Sequence, residues 1–440
     1  MTKRQAGAVL GVLGVLVLIT VPELGSGAWP FRVPSGETDP RGPFGWLVRA
    51  ADRDWDVALL RAGALVAGLV VALSAAVILW LRAVRPLAVG LICAAVVALL
   101  IVPATLLQIG LRDSTAAWYH VNDSTYQIEI AGDLVLDGNT PYGHDYRGSG
   151  LERWYPAAGA DPEVEQVALD HFAYFPGTAL TAAAWRLLPN PFDDYRLFVL
   201  LCTLALSGAA LLFDAPTHWK LAAGAALAAN PVAINASWFG TADAPSLLLT
   251  VLAFVFVARA RYLAAAASIA GAVLLKQFAL VAVPFLAVAM LTRGVPRPVL
   301  WRAGALFAGI FVLGVLPFAI ADPGALWDDT IAYGAQTYRI IGYGLAGVLI
   351  ETGILDDRFG PYPFLPLALL LWLPVTAWLL WTQWRSRQLW IGAAGFAASI
   401  FGLFYLGRVF QNSYLIWPLT ALLVSCVLAV SEPDDSSAQS

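Results

Sequence analysis

The stretch spanning residues 87–111 reads LAVGLICAAVVALLIVPATLLQIGL and contains no charged residue. A helix of this length can cross the hydrocarbon core of a bilayer, which is about 30 Å thick and needs roughly 20 apolar residues. Of the 440 residues in the chain, 59% are hydrophobic and 13% are charged, and the mean hydropathy of +0.72 is too high for an ordinary soluble domain. The sequence therefore predicts a polytopic α-helical membrane protein.

Other runs of similar character follow along the chain, with charges confined to their ends. They predict an all-α fold with about 12 transmembrane helices, within the range 11 to 13. Lys3 and Arg4 precede the first run, but no small-residue cleavage pattern stands before Glu23, so we expect an anchor rather than a signal peptide. The predicted spans are 6–21, 62–81, 87–111, 197–213, 221–238, 245–257, 262–275, 278–291, 303–321, 363–381, 389–406 and 414–430.

The distribution of basic residues predicts the orientation of these spans. If the N-terminus is cytoplasmic, the basic clusters between spans all face the cytoplasm, as the positive-inside rule requires. These clusters are Arg82 with Arg85, Lys220, Arg259 with Arg261, Arg293 with Arg297 and Arg302, and Arg385 with Arg387. The C-terminus is then cytoplasmic as well, and the long hydrophilic segments face outward.

This orientation predicts a single transmembrane domain, residues 1–430, that carries two extracytoplasmic loops. The larger loop spans 112–188 and contains juxtamembrane helices, because the apolar run 174–188 is short and interrupted by Pro176 and Gly177. The second loop spans 322–362. Residues 431–440 are rich in serine and acidic residues, which predicts a disordered cytoplasmic tail.

Several classes of function are disfavoured by the sequence. The polar segments face outward in this orientation and no G-x-x-x-x-G-K-[ST] phosphate loop is present, so a cytosolic nucleotide substrate is not expected. We also expect no nucleic-acid partner. Cys93, Cys202 and Cys426 fall inside predicted spans and lack ligand spacing, which disfavours disulfides and cysteine metal sites.

Asp123 is the leading candidate for a catalytic residue. It follows a predicted span closely, where a low dielectric would make a carboxylate more basic and a lipid-borne substrate could reach it. His120 lies about one helical turn earlier and could face the same cavity. The alternative is that Asp123 only caps a juxtamembrane helix, since Asn-Asp-Ser is suitable N-cap sequence. The residues themselves leave these two interpretations about even.

The order of several motifs resembles the GT-C glycosyltransferases. Asp123 stands early in the first large loop, Leu136 to Tyr142 gives a Leu-x-Gly-x-x-Pro-Tyr stretch, and Tyr-x-Pro at 174–176 leads into the next helix. Further along the chain follow Gly240-Thr241-Ala242-Asp243, which departs from the usual Gly-Gln-x-Asp, then Leu275-Lys276-Gln277, and finally Gln411-Asn412-Ser413-Tyr414-Leu415. The resemblance spans about residues 87–418 and depends on motif order, because no single motif is specific.

This resemblance implies an inverting transfer from a polyprenyl-phosphate-linked sugar to a glycolipid, glycan or protein acceptor at the outer face, with Asp123 as general base. Lys276, together with Arg339 or Arg408, is expected near the donor phosphate. The expected substrate-binding residues are His120, Tyr126, Tyr142, His171, Tyr174, Asp243, Lys276, Gln277, Tyr338, Arg339, Arg408, Gln411, Asn412 and Tyr414.

Lys276 is the most informative of the basic residues. A lysine between two apolar runs is costly at membrane depth and indicates function, although snorkelling to the membrane surface is the competing account. The stretch from Asp328 to Arg339 is polar and aromatic, which suits either sugar binding or an interfacial amphipathic helix. Asp123 and Asp243 have the oxygen ligands that a divalent cation prefers, but two carboxylates do not establish a metal site.

The compositional bias towards Ala, Leu, Val, Gly and Arg, with lysine scarce, is typical of a GC-rich bacterial genome. Together with the resemblance to the GT-C glycosyltransferases, this bias implies a bacterial inner-membrane enzyme of cell-envelope biosynthesis, of the mannosyl- or arabinosyltransferase kind. The alternatives are a secondary transporter or flippase for an envelope lipid, with Lys276 and Asp243 as coupling residues, or a noncatalytic scaffold. No inverted internal repeat supports the transporter.

Overall fold

The computed structural model describes residues 1–23, 42–50, 52–113, 121–154, 167–239 and 241–432. Nearly all regular structure in these residues is helical. Two short strands, β1 (Ile341–Gly342) and β2 (Val409–Phe410), pair in parallel, with Ile341 opposite Val409. Two compact units divide the chain: the first comprises Met1–Asn122, Pro189–Ala244 and Leu423–Ser440, and the second Asp123–Leu188 and Pro245–Leu422.

The α-helices follow one another along the chain with short connections. The first nine are α1 (Lys3–Glu23), α2 (Gly45–Ala50), α3 (Asp52–Trp80), α4 (Pro86–Asp113), α5 (Asp123–Leu136), α6 (Pro176–Arg186), α7 (Tyr195–Ala209), α8 (Thr217–Ala229) and α9 (Pro231–Phe239). The others are α10 (Asp243–Ala258), α11 (Tyr262–Leu275), α12 (Val283–Thr292), α13 (Arg297–Ala321), α14 (Pro323–Trp327), α15 (Leu345–Glu351), α16 (Phe364–Leu367), α17 (Leu373–Ser386), α18 (Leu389–Leu406) and α19 (Ile416–Ser431).

Tighter and wider helical turns occur at a few joints. Asp328–Thr337 and Ala368–Trp372 are π-helical. The 3-10 turns are Leu151–Trp154, Val167–Asp170, Ala210–Leu212, Gln277–Ala282 and Asn412–Leu415.

Eight helices among the described residues are long and apolar enough to cross a membrane, by length and composition. They are Lys3–Thr20, Gly63–Trp80, Pro86–Asp113, Tyr195–Leu212, Arg297–Ala321, Phe364–Ser386, Leu389–Leu406 and Asn412–Ser431. Each coincides with one of the twelve predicted runs. The chain is therefore helical with several candidate membrane spans, as the sequence predicts.

The four remaining runs form shorter helices. The run 221–238 is interrupted at Asn230, whose side-chain oxygen accepts a hydrogen bond from the Ala233 N–H while Pro231 starts the next helix. The other three become Asp243–Ala258, Tyr262–Leu275 and Gln277–Thr292. A helix of 14 residues, such as α11, is about 21 Å long and falls short of the hydrocarbon core. The count of about twelve spans thus stays a prediction.

In the first unit, α1, α3, α4, α7 and α8 pack around a core of aliphatic side chains. An ion-pair cluster lies where α4 ends and α7 begins. Asp194 caps α7 and accepts hydrogen bonds from Arg112 at 2.9 Å and from Arg196 at 2.6 Å. Because Asp194 and Arg196 are both buried, the pair depends on this geometry.

In the second unit, two glycines allow α5, α6 and α11 to approach closely. A Cβ atom at Gly132 of α5 would lie 2.8 Å from the backbone of Ala182 in α6. A Cβ atom at Gly177 of α6 would lie 2.7 Å from the Leu274 carbonyl of α11. The run 174–188 that was expected to be a juxtamembrane or re-entrant helix therefore forms α6, a short helix packed against protein.

The helices α11 and α13 run side by side in the same direction, with Leu274 against Gly314. The ends of α11, α13 and α18 and the beginnings of α5 and α6 thereby gather at one end of the second unit, which we call the polar end. The lateral surface is apolar: Leu313 and Ile320 of α13 are each 73% exposed. Such a surface suits contact with lipid.

Candidate functional site

Asp123 is the first residue of α5 and lies at the polar end. Its Oδ1 accepts a hydrogen bond of 2.7 Å from the Ser124 N–H, and the side chain is half-buried. The position at a helix start agrees with the capping interpretation, because carboxylates are favoured there. The same carboxylate also lies near two tyrosines, one buried and one half-buried.

These tyrosines, Tyr333 and Tyr338, come from the π-helical segment and the residue after it. Burial raises the pKa of Tyr338 to about 12, and the negative charge of Asp123 adds to this effect. The pKa of Tyr333 is also raised, first by burial and then by Tyr338, Asp123, Tyr174 and Tyr414. Both phenols therefore stay neutral at physiological pH, and the Asp123 carboxylate lies within electrostatic range of both.

Asp329 ties three chain segments together at this end. Its carboxylate is 2% exposed, and Oδ1 lies 2.7 Å from Nδ1 of His171. Oδ2 accepts hydrogen bonds from the N–H groups of Gly143 at 3.0 Å and Phe172 at 3.2 Å. The His171 ring stacks on Tyr333, with ring centroids 4.4 Å apart. Asp329 thus fixes His171 beside the tyrosine that neighbours Asp123.

Lys276 lies at the break between α11 and the 3-10 turn that follows. Its backbone is extended, with φ −153° and ψ 122°, and the residue is only 7% exposed. The ammonium nitrogen lies 5.6 Å from the Tyr174 ring centroid and 5.3 Å from that of Phe278. Aromatic faces stabilise a cation at such distances, which helps to hold a charged side chain in an apolar setting.

Gln277 is oriented by main-chain carbonyls. Its Nε2 donates to the Ala173 carbonyl at 2.9 Å, with a longer contact of 3.5 Å to the Thr330 carbonyl. The reverse amide orientation would place an oxygen against both carbonyls, so Oε1 must point the other way. That oxygen is buried and has no hydrogen-bond partner among the described residues.

Arg408 takes a position different from the one expected of a phosphate ligand. It is buried, and its guanidinium donates to the carbonyls of Tyr338 at 2.7 Å, Gly360 at 3.1 Å and Arg358 at 3.3 Å. Burial lowers the pKa of Arg408 from its ordinary value. The Arg408 side chain therefore anchors Tyr338 and the loop around Arg358 and Gly360, next to the β1–β2 pair.

The other expected substrate residues of the second unit divide into anchors and exposed groups. Tyr126 donates to the Ser149 carbonyl and Tyr142 to the Tyr174 carbonyl, so both hold the loop. The Tyr414 ring packs against Phe278 at 5.5 Å, next to the rings around Lys276. Exposed at the surface are Arg339, Gln411 and Asn412.

Two further expected residues are Asp243 and His120. Asp243 is buried at the start of α10 and belongs to the first unit. His120 lies outside the described residues. Within the described ranges, no three His, Cys, Asp or Glu side chains are placed to hold a metal ion, and Asp123 and Asp243 belong to different units.

Comparison of the chain with protein-family models, with curated proteins and with solved structures gave no match.

Sequence reasoning placed Asp329 and Tyr333 in a polar, aromatic stretch but did not find their partners. A signal was present, because residues four apart share one face of a helix. Asp329 and Tyr333 have this spacing, and both contact His171. Nothing in the sequence pointed to His171 as the common partner, since it comes from a separate loop.

Proposed function

We propose that this chain is a membrane glycosyltransferase of the GT-C kind. It would transfer a sugar with inversion from a polyprenyl-phosphate donor to a glycolipid, glycan or protein acceptor, with Asp123 as general base. The observation that carries the proposal is that Asp123 and Tyr174 both influence Tyr333 electrostatically, while the Lys276 ammonium, far from Asp123 in sequence, lies 5.6 Å from the Tyr174 ring centroid. A carboxylate and a cation are thereby held at one end of one unit.

This combination suits the chemistry of inverting transfer. One carboxylate takes the proton of the acceptor hydroxyl, and a cation stabilises the phosphate that leaves the opposite face of the sugar. The buried Lys276 ammonium can provide that charge, and in an apolar setting its interaction with phosphate is stronger than in water. Tyrosine rings and hydroxyl groups nearby suit the apolar faces and hydroxyls of a sugar.

The distribution of charge supports a site on the extracytoplasmic side of a bacterial inner membrane, with both termini cytoplasmic. In the second unit, α11 and α13 start at the end opposite the polar end, next to Arg261 and Arg297. At that end Arg293 donates to the Val257 carbonyl at 2.9 Å. Basic residues favour the cytoplasmic face, so the polar end would face outward.

The test is transfer of radiolabelled sugar from polyprenyl-phosphate donors to membrane lipid extract by the purified protein. Asp123→Asn should abolish transfer. Asp137→Asn is the matched control, because Asp137 is an exposed carboxylate just beyond the other end of α5. Equal transfer by Asp123→Asn and wild type would exclude Asp123 as the base.

A lipid flippase or transporter is the second candidate, and one observation favours it. Lys276 lies at the break between two short apolar helical segments. Broken helices with polar residues at the break are common in transporters. The two functions differ in bond formation. Movement of a lipid-linked sugar across proteoliposomes without any transfer product would favour the transporter.

A further inference from the structure

We infer that His171 and Asp329 form a second catalytic pair of this site, in which His171 donates a proton to the lipid phosphate as it leaves the sugar. Asp329 would act as a positioning residue that holds the imidazole. This inference rests on the proposed transfer from a polyprenyl phosphate and adds a residue for the leaving-group side of the reaction.

The geometry of Asp329 fixes how His171 presents its ring. A nearly fully buried carboxylate needs donors, and Asp329 has three: the His171 ring at 2.7 Å and the N–H groups of Gly143 and Phe172. The ring nitrogen facing the carboxylate, Nδ1, must then carry a proton. This is the arrangement in which a buried carboxylate sets the orientation of a histidine and leaves Nε2 for chemistry.

Nε2 is free to contact a substrate. No described residue forms a hydrogen bond with it, and the His171 side chain is 22% exposed, whereas its partner Asp329 is 2% exposed. Stacking on Tyr333 at 4.4 Å fixes the plane of the ring. The imidazole is therefore oriented on one side by a carboxylate and on one face by a tyrosine, and the remaining nitrogen has no hydrogen bond to the described residues.

His171 is also linked through a short chain segment to the cation expected to bind phosphate. Only two residues separate His171 from Tyr174, so the chain between them spans about 10 Å at most. Lys276 faces the Tyr174 ring, and Gln277 holds the carbonyl of Ala173. Asp329 and its neighbour Thr330 contact the same two short segments. The proposal therefore places the phosphate between Lys276 and Nε2.

The proposed reaction needs a proton donor for the leaving phosphate. Lys276 supplies positive charge there, and His171 would supply the proton. The donor is a phosphodiester with one negative charge, and breaking the bond from sugar carbon to phosphate oxygen leaves the electron pair and a second charge on phosphate. In the proposed step the acceptor proton passes to Asp123, and the Nε2 proton of protonated His171 passes to the leaving phosphate. Neutral His171 keeps its Nδ1–H bond to Asp329. Return of the Asp123 proton to His171 through water completes the cycle, and no other reactant is needed.

Two substitutions distinguish the role of Nδ1 from that of Nε2. His171→Asn keeps an amide N–H near the Nδ1 position and loses Nε2, while His171→Gln can place an N–H near Nε2. We expect His171→Asn to lower kcat about 100-fold and His171→Gln to recover about tenfold over it, because a hydrogen bond replaces only part of proton transfer. His144→Asn is the control, since His144 is half-buried and packs edge-on against Tyr146 in the same loop region. It should retain wild-type kcat.

Binding of a short-chain prenyl phosphate, followed by tryptophan fluorescence, gives a measurement that does not depend on turnover. His171→Asn should weaken this binding about tenfold and leave binding of the corresponding prenyl alcohol unchanged. Wild-type kcat and affinity in His171→Asn would overturn the inference. Equal losses in the Asn and Gln variants, with a lower melting temperature, would show a packing role instead and also overturn it.

The two proposals fail in distinguishable ways. If wild type transfers sugar and Asp123→Asn does not, while His171→Asn is fully active, only the His171 role fails. If wild type transfers no sugar, the proposed function fails, and with it the proton transfer from His171. Weaker prenyl-phosphate binding by His171→Asn would in that case still support His171 as a phosphate contact.

Discussion

The ammonium nitrogen of Lys276 lies 5.6 Å from the centre of the Tyr174 ring, at the point where the backbone leaves one short helix and enters the next. A second ring, that of Phe278, lies 5.3 Å away. The cation is thus kept in an apolar setting by aromatic faces. A substrate anion that enters this setting would meet a charge that water screens only weakly.

Replacement of this cation should affect the donor more than the acceptor. We expect Lys276→Met, which keeps a similar shape, to lower kcat/KM for the lipid-phosphate donor at least about 100-fold, because a buried phosphate would lose its charged partner. Lys220→Met, at a half-buried lysine of α8, is the control. Steady-state kinetics with varied donor would test this, and an unchanged donor kcat/KM would exclude the phosphate role.

The unpaired oxygen of Gln277 predicts a hydroxyl-dependent specificity. If a donor-sugar hydroxyl binds Oε1, deoxy donors should react more slowly with wild type, because a buried acceptor would be left unsatisfied. Gln277→Leu should lower the rate with the fully hydroxylated donor and leave the rate with one monodeoxy donor unchanged. The variant would then no longer discriminate between these two donors. A panel of monodeoxy donors measures this. If the Leu variant discriminates as wild type does, a different group reads the hydroxyl.

Close helix approach at Gly177 predicts a packing defect. Gly177→Ala places a Cβ atom 2.7 Å from the Leu274 carbonyl, so α6 and α11 must separate. Overpacking of this kind costs about 1–3 kcal/mol, and we expect a lower melting temperature in detergent. Gly208→Ala is the control, because no atom lies within 4 Å of its Cβ position. Equal melting temperatures for the two variants would contradict the observed helix contact.

The Asp194 cluster predicts a response to acid. Burial alone would raise the pKa of Asp194, but the charges of Arg196 and Arg112 outweigh it and lower the pKa below the ordinary value. The carboxylate therefore contributes stability that is complete above the pKa of an unfolded aspartate, about 4, and is lost as pH falls through the lower folded value.

Asp194→Asn should therefore lower stability at neutral pH by about 3–5 kcal/mol, because it removes the negative charge that two arginines contact. The difference from wild type should shrink in strong acid. Melting temperature as a function of pH measures both effects. A difference that grows as pH falls would have the wrong sign for a lowered pKa.

The proposed orientation predicts which ends of the helices face outward. In a Cys426→Ser background, Tyr343→Cys should react with a membrane-impermeant maleimide in intact cells, and Arg385→Cys should react only after lysis. Both side chains are exposed, so reactivity reports the side of the membrane. The reverse pattern would place the polar end in the cytoplasm.

Much of the helical architecture could be predicted because apolar runs of span length have few alternatives in a membrane. The runs 87–111 and 389–406 coincide with long apolar helices. The run 221–238 did not form one helix, because Asn230 and Pro231 supply local capping and a missing donor that hydropathy does not register.

For the site, charged residues in unusual positions were the useful signal. Asp123 and Lys276 stood out because a carboxylate after a span and a lysine between apolar runs are costly. Arg408 gave the same signal for a different reason, since its charge is used on main-chain carbonyls. Sequence alone does not distinguish a cation that holds a loop from one that binds a substrate, because both are isolated basic residues in the sequence.

The sequence by itself determined the helical, membrane-type character of this protein and its most costly polar residues, because transfer between water and lipid depends on the composition of each local run. Only the tertiary structure decided which of these residues meet. The pairing of Asp329 with His171, the rings around Lys276 and the carbonyls around Arg408 all join segments distant in the chain. Such contacts depend on how helices pack, and helix packing is fixed by shape rather than by local pattern.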